Sequence, residues 1–114
     1  MSVIDADASV VTVINVFTVA PQDQQRLLDL LVEATTTVIS AMPGFVSANF
    51  HASLDGTKVA NYAQWRSVED VEAMRAHPDS QQHFADARAI ATPAFGLYRV
   101  SHVASAPAPQ PTTA

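Results

Sequence analysis

The chain contains no cysteine among its 114 residues, and only one of its six cationic residues is a lysine, Lys58. Without cysteine it cannot form disulfides, thiolate zinc sites, iron–sulfur clusters or thiol nucleophiles. Its formal net charge is −5 and no run of basic residues occurs, so a surface that follows nucleic-acid phosphates is not expected. The composition therefore predicts no nucleic-acid partner.

Glycine is also scarce, with only Gly44, Gly56 and Gly96 present. These positions are too far apart to form a glycine-rich phosphate loop, so bound flavin or nicotinamide is not expected. His77 and His83 are six residues apart across Pro78, a spacing that matches no metal-binding motif. The sequence therefore predicts neither an organic cofactor nor a metal.

Long apolar runs are missing as well. The longest uncharged stretch, residues 34–54, is interrupted by Pro43 and Gly44, and the N-terminus carries acidic residues where a signal peptide needs basic ones. We therefore predict a soluble, cytoplasmic protein that does not bind membranes.

Runs rich in β-branched and aromatic residues alternate with runs of helical spacing. Strands are predicted at 9–19, 45–53, 58–66 and 95–103, and helices at 21–42 and 67–90, with Pro78 kinking or splitting the second helix. Ser67 and Asp70 resemble a capping box at its start. The predicted organisation is an N-terminal extension (1–9), one domain (10–103) and a Pro/Ala/Thr-rich tail (104–114).

The order of these elements, βαββαβ, is that of the ferredoxin-like α+β fold. In this fold a four-stranded antiparallel sheet carries both helices on one face, and the first strand lies beside the third. The first strand is apolar on both sides, so its uncovered side, with Val10, Ile14 and Val16, would be exposed in a monomer. A large open apolar face usually marks an interface, which predicts a homodimer that packs sheet against sheet as a dimeric α+β barrel.

Asp55-Gly56 between two strand-like runs predicts a β-hairpin. If its loop has two residues, Phe50 lies opposite Asn61, and directly paired residues share a face. The helix-covered face then carries Val46, Ala48, Phe50, Ala52, Val59, Asn61, Ala63 and Trp65, while Phe45 points to the other side. Two alanines between an asparagine and a tryptophan predict a pocket floor.

Asn15 in the first strand is predicted to lie on the same covered face as Asn61. Burying an unpaired amide costs about 1 to 3 kcal/mol, so both side chains need partners. One interpretation is structural: the amides bond each other or the backbone, and Trp65 is a core residue whose N–H is paired. The other is that they bind a ligand.

Four segments in order, "NVF", "MPGF", "NYAQWRSVED" and "AHPDSQQHF", resemble the antibiotic biosynthesis monooxygenase family, over about residues 10 to 103. The combination looks most like its cofactor-independent members, which oxidise anthrones and similar phenols of aromatic polyketide pathways to quinones with O2. The resemblance implies that Asn15, Asn61 and Trp65 are the catalytic residues. Some relatives have a tyrosine on the second helix where this chain has Val71 and Met74.

We further predict a set of substrate-binding residues on the covered face and the second helix: Phe17, Ala48, Phe50, Ala63, Met74, His77, His83 and Phe84. Because the second helix covers the pocket, His77 and His83 are the histidines best placed to act as a base, although surface positions are the ordinary interpretation for both. His51 falls on the opposite sheet face, and His102 lies near the end of the last strand.

Two other functions stay open at this stage. Heme-degrading monooxygenases share the dimeric fold and also use an asparagine, a tryptophan and a helical histidine, for which Asn15, Trp65 and His77 are the candidates. A non-catalytic dimer that binds small molecules is the third possibility, because the fold alone does not determine function.

Overall fold

A computed structural model describes residues 2–107 of the chain. Its core is a four-stranded antiparallel sheet in the order β2-β3-β1-β4, as predicted for the ferredoxin-like fold. The strands are β1 (Val11–Val19), β2 (Phe45–Ala52), β3 (Lys58–Trp65) and β4 (Ala91–Tyr98). Both edges of the sheet, β2 and β4, are free, so a single chain does not close a barrel.

Three α-helices cover one face of the sheet: α1 (Gln24–Thr37), α2 (Val68–Ala76) and α3 (Pro78–Arg88). The predicted first helix was too long, because α1 ends in a run of β-branched residues and is followed by a short 3-10 turn, Ile39–Ala41. The predicted second helix is split: His77 has extended backbone and Pro78 opens α3. Ser67 Oγ accepts the Asp70 backbone N–H at 3.2 Å, which confirms the predicted cap.

The last strand lies about four residues earlier than predicted, starting at Ala91 and ending at Tyr98. The strand includes Pro93, which is tolerated because β4 is an edge strand, where half of the backbone N–H groups point away from the sheet.

The β2–β3 hairpin keeps the predicted register, with Phe50 opposite Asn61, although its loop is wider than two residues. The loop is closed by a bond from the Ser53 backbone N–H to the Lys58 carbonyl at 3.0 Å. A β-bulge at Val46 interrupts the alternation near the start of β2. The predicted faces of Phe45 and Val46 were therefore wrong: Phe45 lies opposite Trp65 on the covered face, and Val46 is 49% exposed.

The covered face of the sheet packs in two clusters at opposite ends. The first, which we call the filled end, contains Phe17, Val19, Leu27, Leu31, Val59, Ala87 and Ala91. The second, which we call the hollow end, contains Val13, Ala63, Trp65, Val71 and Met74. The helices thus bury one side of the sheet, as predicted.

The open face carries the start of the N-terminal extension. Gln64 Nε2 donates to the Val3 carbonyl at 2.7 Å, and Ser47 Oγ donates to Gln64 Oε1 at 2.7 Å. On the same face Ile14 and Val16 remain partly exposed. Residues 104–107 of the predicted tail have no regular secondary structure, and the rest of the tail lies outside the described residues. No helix within residues 2–107 is long and apolar enough to cross a membrane.

Candidate active site

A cavity opens at the hollow end, between the covered sheet face and the three helices. Its empty volume, including the open mouth, is about 750 Å³. Its wall is largely apolar and aromatic, and the lining residues are Val13, Asn15, Phe17, Thr35, Ile39, Phe45, Ala48, Asn61, Ala63, Trp65, Met74, Arg75, Phe84, Arg88, Pro93 and Phe95.

The floor of the cavity comes from neighbouring strands in register. Asn15 of β1 lies directly opposite Asn61 of β3, and Ala63 lies opposite Ala48 of β2. Because residues at every second position of a strand share a face, Asn61, Ala63 and Trp65 all point toward the helices. The small side chains of Ala48 and Ala63 leave the space that the sequence predicted.

The two asparagine side chains carry the clearest chemical signal in the cavity. The Oδ1 atoms of Asn15 and Asn61 are both buried, and neither has a hydrogen-bond partner among the described residues. The structural interpretation, in which the amides bond each other, is therefore not observed. An unsatisfied buried polar group costs about 1 to 3 kcal/mol, so the packing of the protein itself does not explain two such groups beside a cavity.

Trp65 forms one end of the cavity and is 1% exposed. Its ring packs edge to face against Phe45, with centroids 5.4 Å apart and planes at 87°. Thr35, which carries a hydroxyl group, also lines the cavity. The wall therefore combines aromatic surface with several hydrogen-bonding groups, an arrangement that can hold and orient a flat, oxygenated aromatic molecule.

The helix that covers Trp65 is fastened at its first turn by Asp70. Arg66 Nε and Nη2 donate to the two carboxylate oxygens of Asp70 at 2.9 and 3.1 Å, and Ser67 Oγ donates to Oδ2 at 2.8 Å. The hydrogen bonds from Arg66, and then from Ser67, hold the pKa of Asp70 below its usual value. They fix the start of α2 next to the end of β3.

Most of the predicted substrate-binding residues line the cavity, namely Phe17, Ala48, Ala63, Met74 and Phe84, and they do so together with Asn15, Asn61 and Trp65. The cavity wall does not include Phe50, His77 or His83.

Phe50, His77 and His83 each lie outside the cavity for a different structural reason. Phe50 packs against the filled end. His77 joins α2 to α3, and its Nδ1 accepts the Asp79 backbone N–H at 3.1 Å, so the imidazole serves as a helix cap. On α3 the residues that face the cavity are Phe84 and Arg88, four apart on one helix face, which turns His83 aside. His51 is exposed on β2, and His102 is exposed beyond β4.

Two arginines at the cavity mouth were missed by the sequence reasoning. Arg75 and Arg88 come from the last turns of α2 and α3, and the Cζ of Arg75 lies 4.1 Å from the centroid of the Phe95 ring. No periodicity links the two positions, because the helix break at Pro78 intervenes. Of the two, only Arg88 could have been suspected from the sequence. No acidic residue lies three or four positions from it on either side, so it has no partner for an ion pair within its helix.

The residues present fit neither a metal ion nor a histidine-ligated heme. Within the described ranges no group of three or more His, Asp or Glu side chains is arranged to hold a metal ion. His77, the candidate heme ligand, caps α3 outside the cavity.

A largely apolar cavity with unpartnered amide oxygens beside it, set between a ferredoxin-like sheet and its helices, is typical of an enzyme site that binds a small molecule. Comparison with known proteins specifies the family. Residues 10–88 match the family described as Antibiotic biosynthesis monooxygenase, and the chain belongs to it. It is therefore a member of a family of monooxygenases, as the sequence resemblance implied.

Individual relatives agree with this assignment. The chain is 46% identical over 110 residues to the tetracenomycin-F1 monooxygenase of Streptomyces glaucescens, covering 96% of this chain and 98% of that protein. A monooxygenase from the gene ActVA-Orf6 of Streptomyces coelicolor, solved with the ligand nanaomycin D, is 31% identical, with a TM-score of 0.69 over 89% of this chain and 96% of that one. SnoaB of Streptomyces nogalater, described as a cofactor-independent oxygenase, is 25% identical, with a TM-score of 0.70 over 84% and 97%.

Proposed function

We propose that this protein is a cofactor-independent monooxygenase that uses O2 to oxidise an anthrone-like or phenolic aromatic polyketide to a quinone. The observation that carries the proposal is the pair of buried, unpartnered amides, Asn15 and Asn61, in an otherwise apolar and aromatic cavity. The names of the relatives support it, since they describe a tetracenomycin-F1 monooxygenase and a cofactor-independent oxygenase.

The substrate itself supplies the electrons that a flavin or metal would otherwise provide. Loss of an acidic proton from an anthrone gives an electron-rich enolate, which transfers one electron to O2. The resulting radical and superoxide combine to a peroxide anion, which takes back one proton from water to give a hydroperoxide; the hydroperoxide then loses water to leave the carbonyl group of the quinone. The sum converts a CH2 group and O2 into C=O and H2O, so no external reductant is consumed.

The side chains of the cavity stabilise the oxygen atoms that become negatively charged during this reaction. The amide N–H2 groups of Asn15 and Asn61 and the indole N–H of Trp65 can donate to the enolate and peroxide oxygens. One preorganised donor to an oxyanion contributes about 3 kcal/mol to a transition state.

Proton removal relies on the acidity of the substrate. No carboxylate or histidine lines the cavity within the described part of the chain, so we assign the proton to water at the mouth. By stabilising the enolate, the donor groups lower the pKa of the bound substrate, which makes a strong protein base unnecessary.

The proposal includes a cytoplasmic homodimer joined through the open sheet face. Ile14 and Val16 on β1 remain partly exposed there, and a second copy of the same face would cover them and complete the barrel. Ser2 and Val3 lie at one end of this face, so the interface would be centred on the other end. A monomer at micromolar concentration in solution scattering would contradict this part.

Oxygen uptake by purified, metal-stripped protein tests the reaction directly. We expect consumption of about one O2 per quinone formed with at least one member of a panel of anthrones and naphthols, above the autoxidation rate without protein, and unchanged by chelators. Incorporation of one atom of labelled O2 into the product is the accompanying mass-spectrometric result. Binding of the panel without oxygen-dependent turnover would favour a non-catalytic protein, and a requirement for added flavin, heme or iron would refute cofactor independence.

A further inference from the structure

Two positive charges stand at the mouth of the cavity. Arg75 and Arg88 are two of only six cationic residues in a chain of net charge −5. Both line the aromatic cavity and also a second depression outside it, between α2 and α3, together with Glu72 and Phe84. The two guanidinium groups therefore mark the passage from the cavity to solvent.

Neither arginine is engaged by an acidic side chain. Among residues 2–107 the only arginine within salt-bridge distance of a carboxylate is Arg66, which binds Asp70. Glu72 borders the same depression but lies beyond 4.0 Å of both guanidinium groups. Instead, the guanidinium group of Arg75 stacks over the face of the Phe95 ring, which is part of the cavity wall. Its donors remain available for a ligand.

On the basis of the proposed function, we propose that Arg75 and Arg88 bind a carboxylate substituent on the aromatic substrate. The rings would lie on Asn15, Asn61 and Trp65, and the acidic end would remain at the mouth. A carboxylate suits this position because it is fully ionised near pH 7, whereas a phenol with a pKa near 10 is not. Arginine also presents a planar fork that matches a carboxylate in two parallel hydrogen bonds.

The overall charge of the protein makes this local pair important. A chain of net charge −5 repels an anionic ligand at long range, so an acidic substrate needs a positive point at the entrance. The apolar wall behind the arginines excludes the charged group from the interior, because an unpaired buried carboxylate is strongly disfavoured. Together these features would orient the substrate with its acid outward.

Anaerobic binding separates this proposal from the proposed reaction. Trp65 is the only tryptophan of the chain and borders the cavity, so its fluorescence reports occupancy without turnover. The probes are a matched pair, an anthrone carboxylic acid and its methyl ester, with a methyl ether of a ring phenol as a third arm. We expect the parent protein to bind the acid more tightly than the ester.

Arg75→Gln and Arg88→Gln should each weaken binding of the acid roughly tenfold while leaving the ester within about twofold, and added salt should shrink the difference. Arg75→Lys should recover only part of the loss, because lysine keeps the charge but not the fork. Arg26→Gln, the same change on exposed α1, is the control and should have no effect.

Equal binding of acid and ester by the parent protein would overturn the proposal, as would equal loss of both probes in the arginine variants. If methylation of the ring phenol, rather than of the acid, weakened binding, the arginines would bind a phenolate instead of a carboxylate. Oxygen uptake is scored separately: acid-selective binding without turnover would contradict the proposed reaction and leave the arginine site in place.

Discussion

The filled end and the hollow end are built on the same sheet face but are packed differently. At the filled end Leu27 and Val59 have no exposed surface, and the cluster is composed of aliphatic and aromatic side chains. At the hollow end the strands present alanines and asparagines, and the helices leave a cavity above them. The filled end is therefore packed for stability, whereas the hollow end keeps polar groups without partners, as expected if our proposed function is correct.

Leu27→Ala should give the largest effect on stability. Truncating a fully buried leucine typically costs about 2 to 5 kcal/mol, because the site cannot collapse around the lost atoms. Denaturant unfolding should show this loss, while turnover per folded molecule stays near the parent value. Leu54→Ala in the exposed hairpin loop is the control and should change neither. A Leu27 variant with parental stability would remove the distinction between the two ends.

Gly44→Ala should damage the hollow end. Gly44 has φ +85°, and an added Cβ would collide with the Asp70 side chain that fastens α2. Gly56→Ala is a matched control, since its φ is +81° but its Cβ would meet Pro21 at an ordinary 3.5 Å. Each should lose about 1 to 2 kcal/mol from the left-handed backbone, and only Gly44→Ala should also lose turnover. Equal turnover in the two variants would contradict a role for the α2 attachment.

Trp65→Phe should separate rate from stability. Phenylalanine keeps most of the apolar volume but has no indole N–H, so turnover of an anthrone-like substrate should fall by about tenfold or more. Steady-state kinetics should show the loss mainly in kcat, with unfolding changed by less than about 1.5 kcal/mol. A variant that melts much lower yet oxidises substrate at the parent rate would make Trp65 a core residue only.

Acid should loosen the hollow end by a small amount. The pKa of Asp70 is lowered from 3.8 in the folded protein, so its contribution is present above that pH and is lost as the pH falls below it. The fluorescence of Trp65 should therefore change in acid before the far-ultraviolet signal of the sheet does. Asp70→Asn should remove this early change, and coincident transitions in both signals for the parent would argue against it.

Much of the fold could be predicted because local signals agreed with one another. The Asp55-Gly56 turn predicted the hairpin, and the alternation of residues in β3 predicted that Asn61 and Trp65 share the covered face. The register survived a wider loop because strand pairing, rather than the loop, determines which residues face each other.

Other features depend on tertiary contacts that no local pattern encodes. The bulge at Val46, which turns Phe45 into the cavity, has no signature in "GFVSANF". The inward face of α3 depends on the angle set by the break at His77-Pro78, so the predicted site included His83 but not Arg88. Likewise the sequence gives no sign of the contact between Arg75 and Phe95, because the two residues are twenty positions apart.

The amide pair itself offers the most direct test of the central claim, through the combined unfolding and oxygen-uptake measurement of Asn61→Leu. Leucine has a similar size and removes a buried polar group that has no partner, so stability should stay equal or rise. Turnover of the anthrone-like substrate should fall by about tenfold or more, because one oxyanion donor is lost. A variant that is less stable but oxidises substrate at the parent rate would contradict the account, since Asn61 would then serve the fold and not the reaction.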